Sequence, residues 1–308
     1  MRPTALTEKI SLIIHIASML FGLAGLLIVL PRPEIIISLP PPLQTLFQLS
    51  MAGGGVVYII FGALAVALYL YRNCGLSATL GFALPAIFLS LSSELLGTST
   101  GFPFGHYAYL NGLGYKIAGL VPFTIPLSWF YMGAVCYLLA RSGLRMQVSN
   151  SWLKEVGAIA LGALLLTAWD FVLDPAMSQS PFPFWEFQET GAFFGMPYRN
   201  ITGWFGTGTV FITVAALFWK NSQIAFARTQ LTLPLMVYLV NFAFGALITL
   251  VALDTRFILP TILSIVLGVI PAIVLWWLSV DQAQILEANR QKEFNTANLP
   301  DKQVVNNY

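Results

Sequence analysis

Eight stretches of about 20 apolar residues follow one another along the chain, near residues 10–30, 50–71, 78–96, 117–140, 152–173, 200–219, 231–252 and 257–280. In hydrocarbon a backbone must satisfy every N–H and C=O internally, so such stretches fold as helices. Only 9% of the residues are charged, against about 25% in a soluble domain. The sequence therefore predicts an all-α polytopic bundle of about eight transmembrane helices, a single membrane domain over 1–280 followed by a polar cytoplasmic tail over 281–308. The segment at 10–30 is too long for a typical signal-peptide core and lacks a small-residue cleavage site, so it reads as the first retained span.

The charges between spans set the orientation. With eight spans, Arg2, Lys9, Arg72, Arg141, Arg145, Lys154, Lys220, Arg228, Arg290, Lys292 and Lys302 share one side. Arg32, Lys116, Arg199 and Arg256 fall on the other. The positive-inside rule then puts both termini in the cytoplasm. No Lys or Arg lies well inside a span, which disfavours a Schiff-base retinal protein. The basic residues form no stripe, so no nucleic-acid partner is expected.

Cysteine and histidine are scarce: Cys74, Cys136, His15 and His106. Two cysteines make neither a disulfide framework nor a thiolate metal site. Two histidines are too few for membrane di-iron oxygen chemistry. The phosphate-loop, zinc-hydrolase and serine-hydrolase motifs are absent from the sequence.

Against this background three acids stand out. Asp170 and Asp174 lie four residues apart at the end of an apolar run, hence on one helix face about 6 Å apart along the axis. Pro175 is expected to end that helix, leaving both acids in its last turn. Low dielectric, a like-charged neighbour and the negative helix end would each favour the neutral acid. Glu94 ends the third span in the same way, with Gly97 as a C-cap. Ionisable residues at membrane depth are functional candidates by default.

Two long loops share a side with these acids, 97–116 and 175–199. The first holds Phe102, Phe104, Tyr107, Tyr109 and Tyr115, the second Phe182, Phe184, Trp185, Phe187, Phe193, Phe194 and Tyr198. They read either as interfacial aromatic belts or as re-entrant lids over a lipid-accessible pocket. His106 could shuttle a proton or make a structural hydrogen bond. Glu186 and Glu189 are loop acids, and Arg199 could pair with one of them. Asn200 is a further polar candidate. A faint repeat connects the regions: Gly119, Pro122 and Trp129-Phe130 echo Gly195, Pro197 and Trp204-Phe205, with equal Pro-to-Trp spacing. Acids without cations, set among aromatic faces that stabilise cations, suit protonation of an alkene and capture of the cation by water.

At these residues the chain resembles the integral-membrane carotenoid biosynthesis family, which includes the CruF-type gamma-carotene 1'-hydroxylase and the bisanhydrobacterioruberin hydratase. The matching stretches are Glu94–Tyr109 (ELLGTSTGFPFGHYAY), Trp169–Pro175 (WDFVLDP) and Phe194–Trp204 (FGMPYRNITGW). The resemblance implies addition of water across the 1',2' double bond of an acyclic carotenoid end group, giving a tertiary alcohol without a redox cofactor. It implies a carotenoid entering from the lipid phase, and a downstream carotenoid glycosyltransferase is a candidate partner. The physical argument assigns catalysis to Asp170, Asp174 and Glu94, one acid protonating the alkene and another accepting the proton of the attacking water. Phe102, Phe104, His106, Tyr107, Trp169, Trp185, Glu186, Phe194, Asn200 and Trp204 are expected around the substrate, with no metal ligand among them. An intramembrane prenyltransferase and a proton-coupled transporter are the rival readings. The former wants a second Asp-rich motif and the latter midplane charges.

Overall fold

A computed structural model of the chain describes residues 3–146, 151–220, 224–287 and 290. Most of the tail expected over 281–308 lies outside the described residues, as do Arg2, Lys292 and Lys302. The described residues form an all-α bundle with two small β pairs at one end. Six helical stretches are long and apolar enough to cross a membrane: Pro3–Val29, Gly53–Thr100, Trp152–Ser178, Tyr198–Trp219, Thr232–Ala252 and Thr255–Leu278. Their outward faces carry bare Ile13, Leu217, Phe218, Val251 and Trp277, an apolar surface that a bilayer covers.

Helix α1 (Pro3–Ala24) begins before the apolar window and passes into a π-helical turn at Gly25–Val29. A short α2 (Pro33–Ser38) leads to α3 (Pro41–Thr100), a continuous helical assignment that holds the expected second and third spans. Gly75 divides them, with φ 81° and ψ 172°, a conformation closed to side-chain-bearing residues. A Cβ on Gly55 would touch Gly112 O at 2.8 Å, and one on Gly97 would touch the Phe104 ring at 2.7 Å. The two halves of α3 on either side of Gly75 therefore reach the same loop layer and run antiparallel.

Helix α4 (Thr124–Gly143) is not among the six apolar stretches. All of its residues except Leu127 and Ser128 are buried. It is the central helix, surrounded by protein rather than lipid, so it tolerates Arg141 and Ser142. Residues 117–123 of the expected fourth span are instead a tight hairpin, β2 (Lys116–Ile117) with β3 (Val121–Pro122). Ala118 and Gly119 turn it with positive φ.

Helix α5 (Trp152–Ser178) starts at Ser151, whose side chain accepts from Lys154 N at 3.3 Å. Pro175 does not end it, contrary to expectation. Proline keeps a helical φ and forfeits one backbone bond, a cost that the packing around a buried helix outweighs. The helix continues one turn, with Gln179 N bonded to Pro175 O at 3.0 Å. Helices α6 (Tyr198–Trp219), α7 (Thr232–Ala252), α8 (Ile258–Ser264) and α9 (Ile270–Leu278) complete the bundle. Neighbours donate second hydrogen bonds to α5 carbonyls: Tyr238 to Leu165 O at 2.9 Å, Thr249 to Val172 O at 3.0 Å and Ser264 to Ala168 O at 2.6 Å. Such bonds fasten helices where no hydrophobic effect acts between them.

The end away from the loops gathers the basic residues expected on one side. Arg72 pairs with Glu8 at 2.7 Å and Arg141 with Glu155 at 3.4 Å. Arg145 and Arg228 donate to Leu278 O and Ser279 O.

Candidate active site

The two aromatic loops are tied to each other. Strand β1 (Tyr107–Tyr109) pairs antiparallel with β4 (Trp185–Phe187), Tyr107 opposite Phe187 and Tyr109 opposite Trp185. Alternation along each strand sends Tyr107, Tyr109 and Trp185 inward and leaves Glu186 in solvent. The inward aromatics have polar tips, and the tips reach the buried acids.

Glu94, buried near the end of α3, accepts three hydrogen bonds. Tyr107 Oη and Tyr109 Oη donate to Oε2, the latter at 2.8 Å, and Trp129 Nε1 donates to Oε1 at 2.8 Å. Burial, and next the Glu94 carboxylate, hold both phenols well above the ordinary tyrosine range, so they remain donors. On α5, Asp174 Oδ1 accepts from Trp185 Nε1 at 2.8 Å. Asn200 Nδ2, in the first turn of α6, donates to Asp174 Oδ2 and, at 3.0 Å, to Asp170 Oδ2. One amide thus clamps both aspartates. Asp170 is fully buried, and its Oδ1 has no partner, nor does the neighbouring Trp169 Nε1.

Glu94 and Asp174 line one cavity together with Tyr107, Trp185, Asn200 and Trp204. Its volume is about 40 Å³, where a water needs roughly 10–15 Å³. Trp129 and Trp204 stack beside it, ring centroids 4.2 Å apart, and Trp169 meets Trp204 edge-on at 6.0 Å. The sequence repeat has a spatial counterpart. Tyr107 opens β1 and donates to Glu94, while Trp185 opens β4 and donates to Asp174. The strands pair with each other and the repeated tryptophans stack, so the two helix–loop–helix units face each other across the site.

Of the residues expected around a substrate, Phe104, Tyr107, Trp185, Asn200 and Trp204 line this cavity, and Trp169 stands directly behind it. Four others lie elsewhere. Phe102 is 68% exposed on the outer surface. His106 is exposed with its ring against Gly101, and only its backbone contributes, N donating to Glu189 Oε1 and O accepting from Gln188 N. Glu186 points outward on β4, and Phe194 packs on Phe193 and Phe257. Arg199 pairs with Glu189 at 3.9 Å. Two residues that donate to Glu94, Tyr109 and Trp129, are missing from the expected set, as are Ile125, Ser128, Leu173 and Phe187 of the cavity wall. The two-residue spacing from Tyr107 points to Tyr109, and the repeat with Trp204 points to Trp129.

Comparison with known proteins bears on this site. A family model described as carotenoid biosynthesis protein matches residues 54–271. A bisanhydrobacterioruberin hydratase from Haloarcula japonica is 30% identical over 156 residues, covering 50% of this chain and 51% of that protein. The chain thus spans about half the length of the curated relative it matches. No solved structure matches significantly. The family match contains both acid-bearing helices, both aromatic loops and most of the bundle, and the chain belongs to the family of carotenoid biosynthesis proteins.

Proposed function

We propose that this protein is a carotenoid hydratase that adds water across the 1',2' double bond of an acyclic carotenoid end group. The observation that carries the reading is the pairing of Glu94 with Asp174 in one cavity that has room for water and is flanked by stacked indoles. Asp174, which borders the cavity, delivers a proton to C2' of the 1',2' double bond, and a tertiary cation forms at C1', the carbon that bears the two methyl groups. Asp170, behind Asp174 and clamped to it through Asn200, keeps the pair supplied with a proton. The π faces of Trp129 and Trp204 stabilise the cation. Water attacks it, and its excess proton passes to Glu94, which Tyr107, Tyr109 and Trp129 hold in position, and returns through water in the shared cavity to the aspartate pair, which restores the starting state. The net change is alkene plus water to tertiary alcohol. A relative named as a hydratase supports the same class of reaction.

The same proposal puts both termini in the cytoplasm and the aromatic loops on the other side. Arg72, Arg141, Arg145 and Arg228 at the end away from the loops support it through the positive-inside bias. The substrate enters from the lipid phase, and a glycosyltransferase that consumes the new hydroxyl would act downstream.

Expression in a lycopene-producing host tests the reaction. The pigment should gain the mass of one water, and growth in ¹⁸O-labelled water should place the label in the new hydroxyl. Label arriving from O₂ instead would overturn the reading.

A further inference from the structure

A second, larger cavity lies next to the acids. It runs between α3 and α6, bounded by Leu89, Ser92 and Leu96 on one side and Gly203, Gly206 and Val210 on the other. Its volume is about 590 Å³, against 40 Å³ at the acids. From Leu89 to Gly101 it follows α3 for about 18 Å at ~1.5 Å per residue, more than half of a ~30 Å hydrocarbon core. It opens to the bilayer side of the bundle, where Val210 is 53% exposed.

The Phe104 side chain stands between the two spaces. Phe104 lines the acid cavity, and Pro103 and Gly203 line the groove. The Phe104 ring is held in a slot between two glycines: a Cβ at Gly97 or at Gly203 would lie 2.7 Å from it. Beside α5, by contrast, α4 is buried at every residue but Leu127 and Ser128, so the α4–α5 interface offers no comparable groove to lipid.

We propose that the α3–α6 groove seats the extended polyene chain of the substrate, with Phe104 as the partition past which the chain's end reaches the carboxylates. This inference rests on the carotenoid reading given above. The acid cavity has room for water and is far smaller than the groove while Phe104 stays in its slot. A polyene long enough to cross most of a leaflet must lie elsewhere for nearly all its length, and the groove is elongated and walled mostly by apolar surface, with Arg199 and Thr202 also lining it, and the Phe104 ring stands between it and the acid site. Its small residues bring the two helix backbones close enough for a thin chain rather than a globular ligand. Gly206 lies in the groove wall with nothing within 4 Å of its Cβ position. A side chain there fills the groove without disturbing the bundle.

Lycopene is the probe. The full chain is purified in detergent from a lycopene-accumulating host, and bound pigment per protein is read from visible absorbance. Gly206→Phe should retain about tenfold less pigment, a loss equivalent to roughly 1.4 kcal/mol. Val210→Phe, on the same wall, should behave likewise. Val156→Phe, in the separate groove between α5 and α6, should match wild type. Wild-type pigment in both groove-filling variants, or an equal loss in Val156→Phe, overturns the assignment. Asp174→Asn separates this inference from the reaction, because it should stop water addition and keep the pigment. If wild type adds no water but the pigment still depends on Gly206, the groove stands and the hydratase reading falls.

Discussion

Asn200 donates to Asp170 and to Asp174 from a single amide nitrogen, so two carboxyl groups one helical turn apart share one clamp. The amide comes from α6 and the acids from α5. The proton chemistry therefore depends on the packing of one helix against the other. Asn200→Leu removes the clamp, keeps the approximate volume and leaves two buried carboxyls without their common donor. Activity should fall about 10²–10⁴-fold, the usual range for disturbing a general acid. Asn200→Asp should be worse, since it places a third acid in the cluster. Product mass per folded protein is the measurement, and equal activity in all three proteins would remove Asn200 from the mechanism.

Asp174→Asn and Asp170→Asn should each abolish detectable product while the protein still inserts and purifies. The two variants differ in stability. Asp174 accepts from Trp185 and Asn200, so its loss leaves a buried donor facing an amide, at a cost of about 1–3 kcal/mol. Asp170 accepts from Asn200 through Oδ2 while its Oδ1 has no partner, so Asp170→Asn disturbs fewer bonds and should melt above Asp174→Asn. A thermal melt in detergent compares them, and near wild-type turnover in either variant contradicts its assigned role.

Glu94 tests the opposite wall. Glu94→Gln offers one acceptor oxygen to three donors, two of them phenols that burial keeps protonated. Turnover should drop about 10²–10⁴-fold with pigment binding retained. Lost binding with unchanged turnover of the bound fraction would make Glu94 structural. Tyr109→Phe leaves Tyr107 and Trp129 in place and should have the milder effect of the two.

Much of this arrangement is legible in the sequence, for physical reasons specific to each element. Asp170, Asp174 and Glu94 stand out because a charge in an apolar run has no cheap explanation. The repeat that relates Trp129 to Trp204 is visible as equal spacing from Pro122 and Pro197. Other features depend on the third dimension. The extra turn of α5 beyond Pro175 reflects packing that no local rule contains. The start of α4 at Thr124 is obscured because the hairpin before it is itself apolar. His106 and Phe194 sit in the same aromatic company as Tyr107, and only strand pairing decides which side chains face inward. Ser180, in the second loop, is buried, so an exposed loop position must be found from the fold.

Topology is checked at such positions. In a variant lacking Cys74 and Cys136, single cysteines at Glu186 and Thr190 lie on the exposed side of the second loop, and one at Lys220 lies at the opposite end. An impermeant thiol reagent added outside intact cells should label the first two and spare the third. Labelling only at Lys220 would reverse the orientation and put the acids at the cytoplasmic face.

The last prediction separates scaffold from site. His15 is completely buried in α1, its Nδ1 2.7 Å from Tyr58 O and its Nε2 3.1 Å from Asn241 Nδ2. Asn241 Oδ1 accepts from Tyr131 at 2.8 Å, so four polar groups from α1, α3, α4 and α7 close one network inside the bundle. None of these residues lines the acid cavity. Asn241→Leu strands the histidine and the phenol in an apolar interior, which costs about 1–3 kcal/mol for each unsatisfied group. The variant should melt earlier and accumulate less, yet turn over substrate at the wild-type rate per folded molecule. A fall in specific activity as large as that of Glu94→Gln would instead connect this network to the proton path.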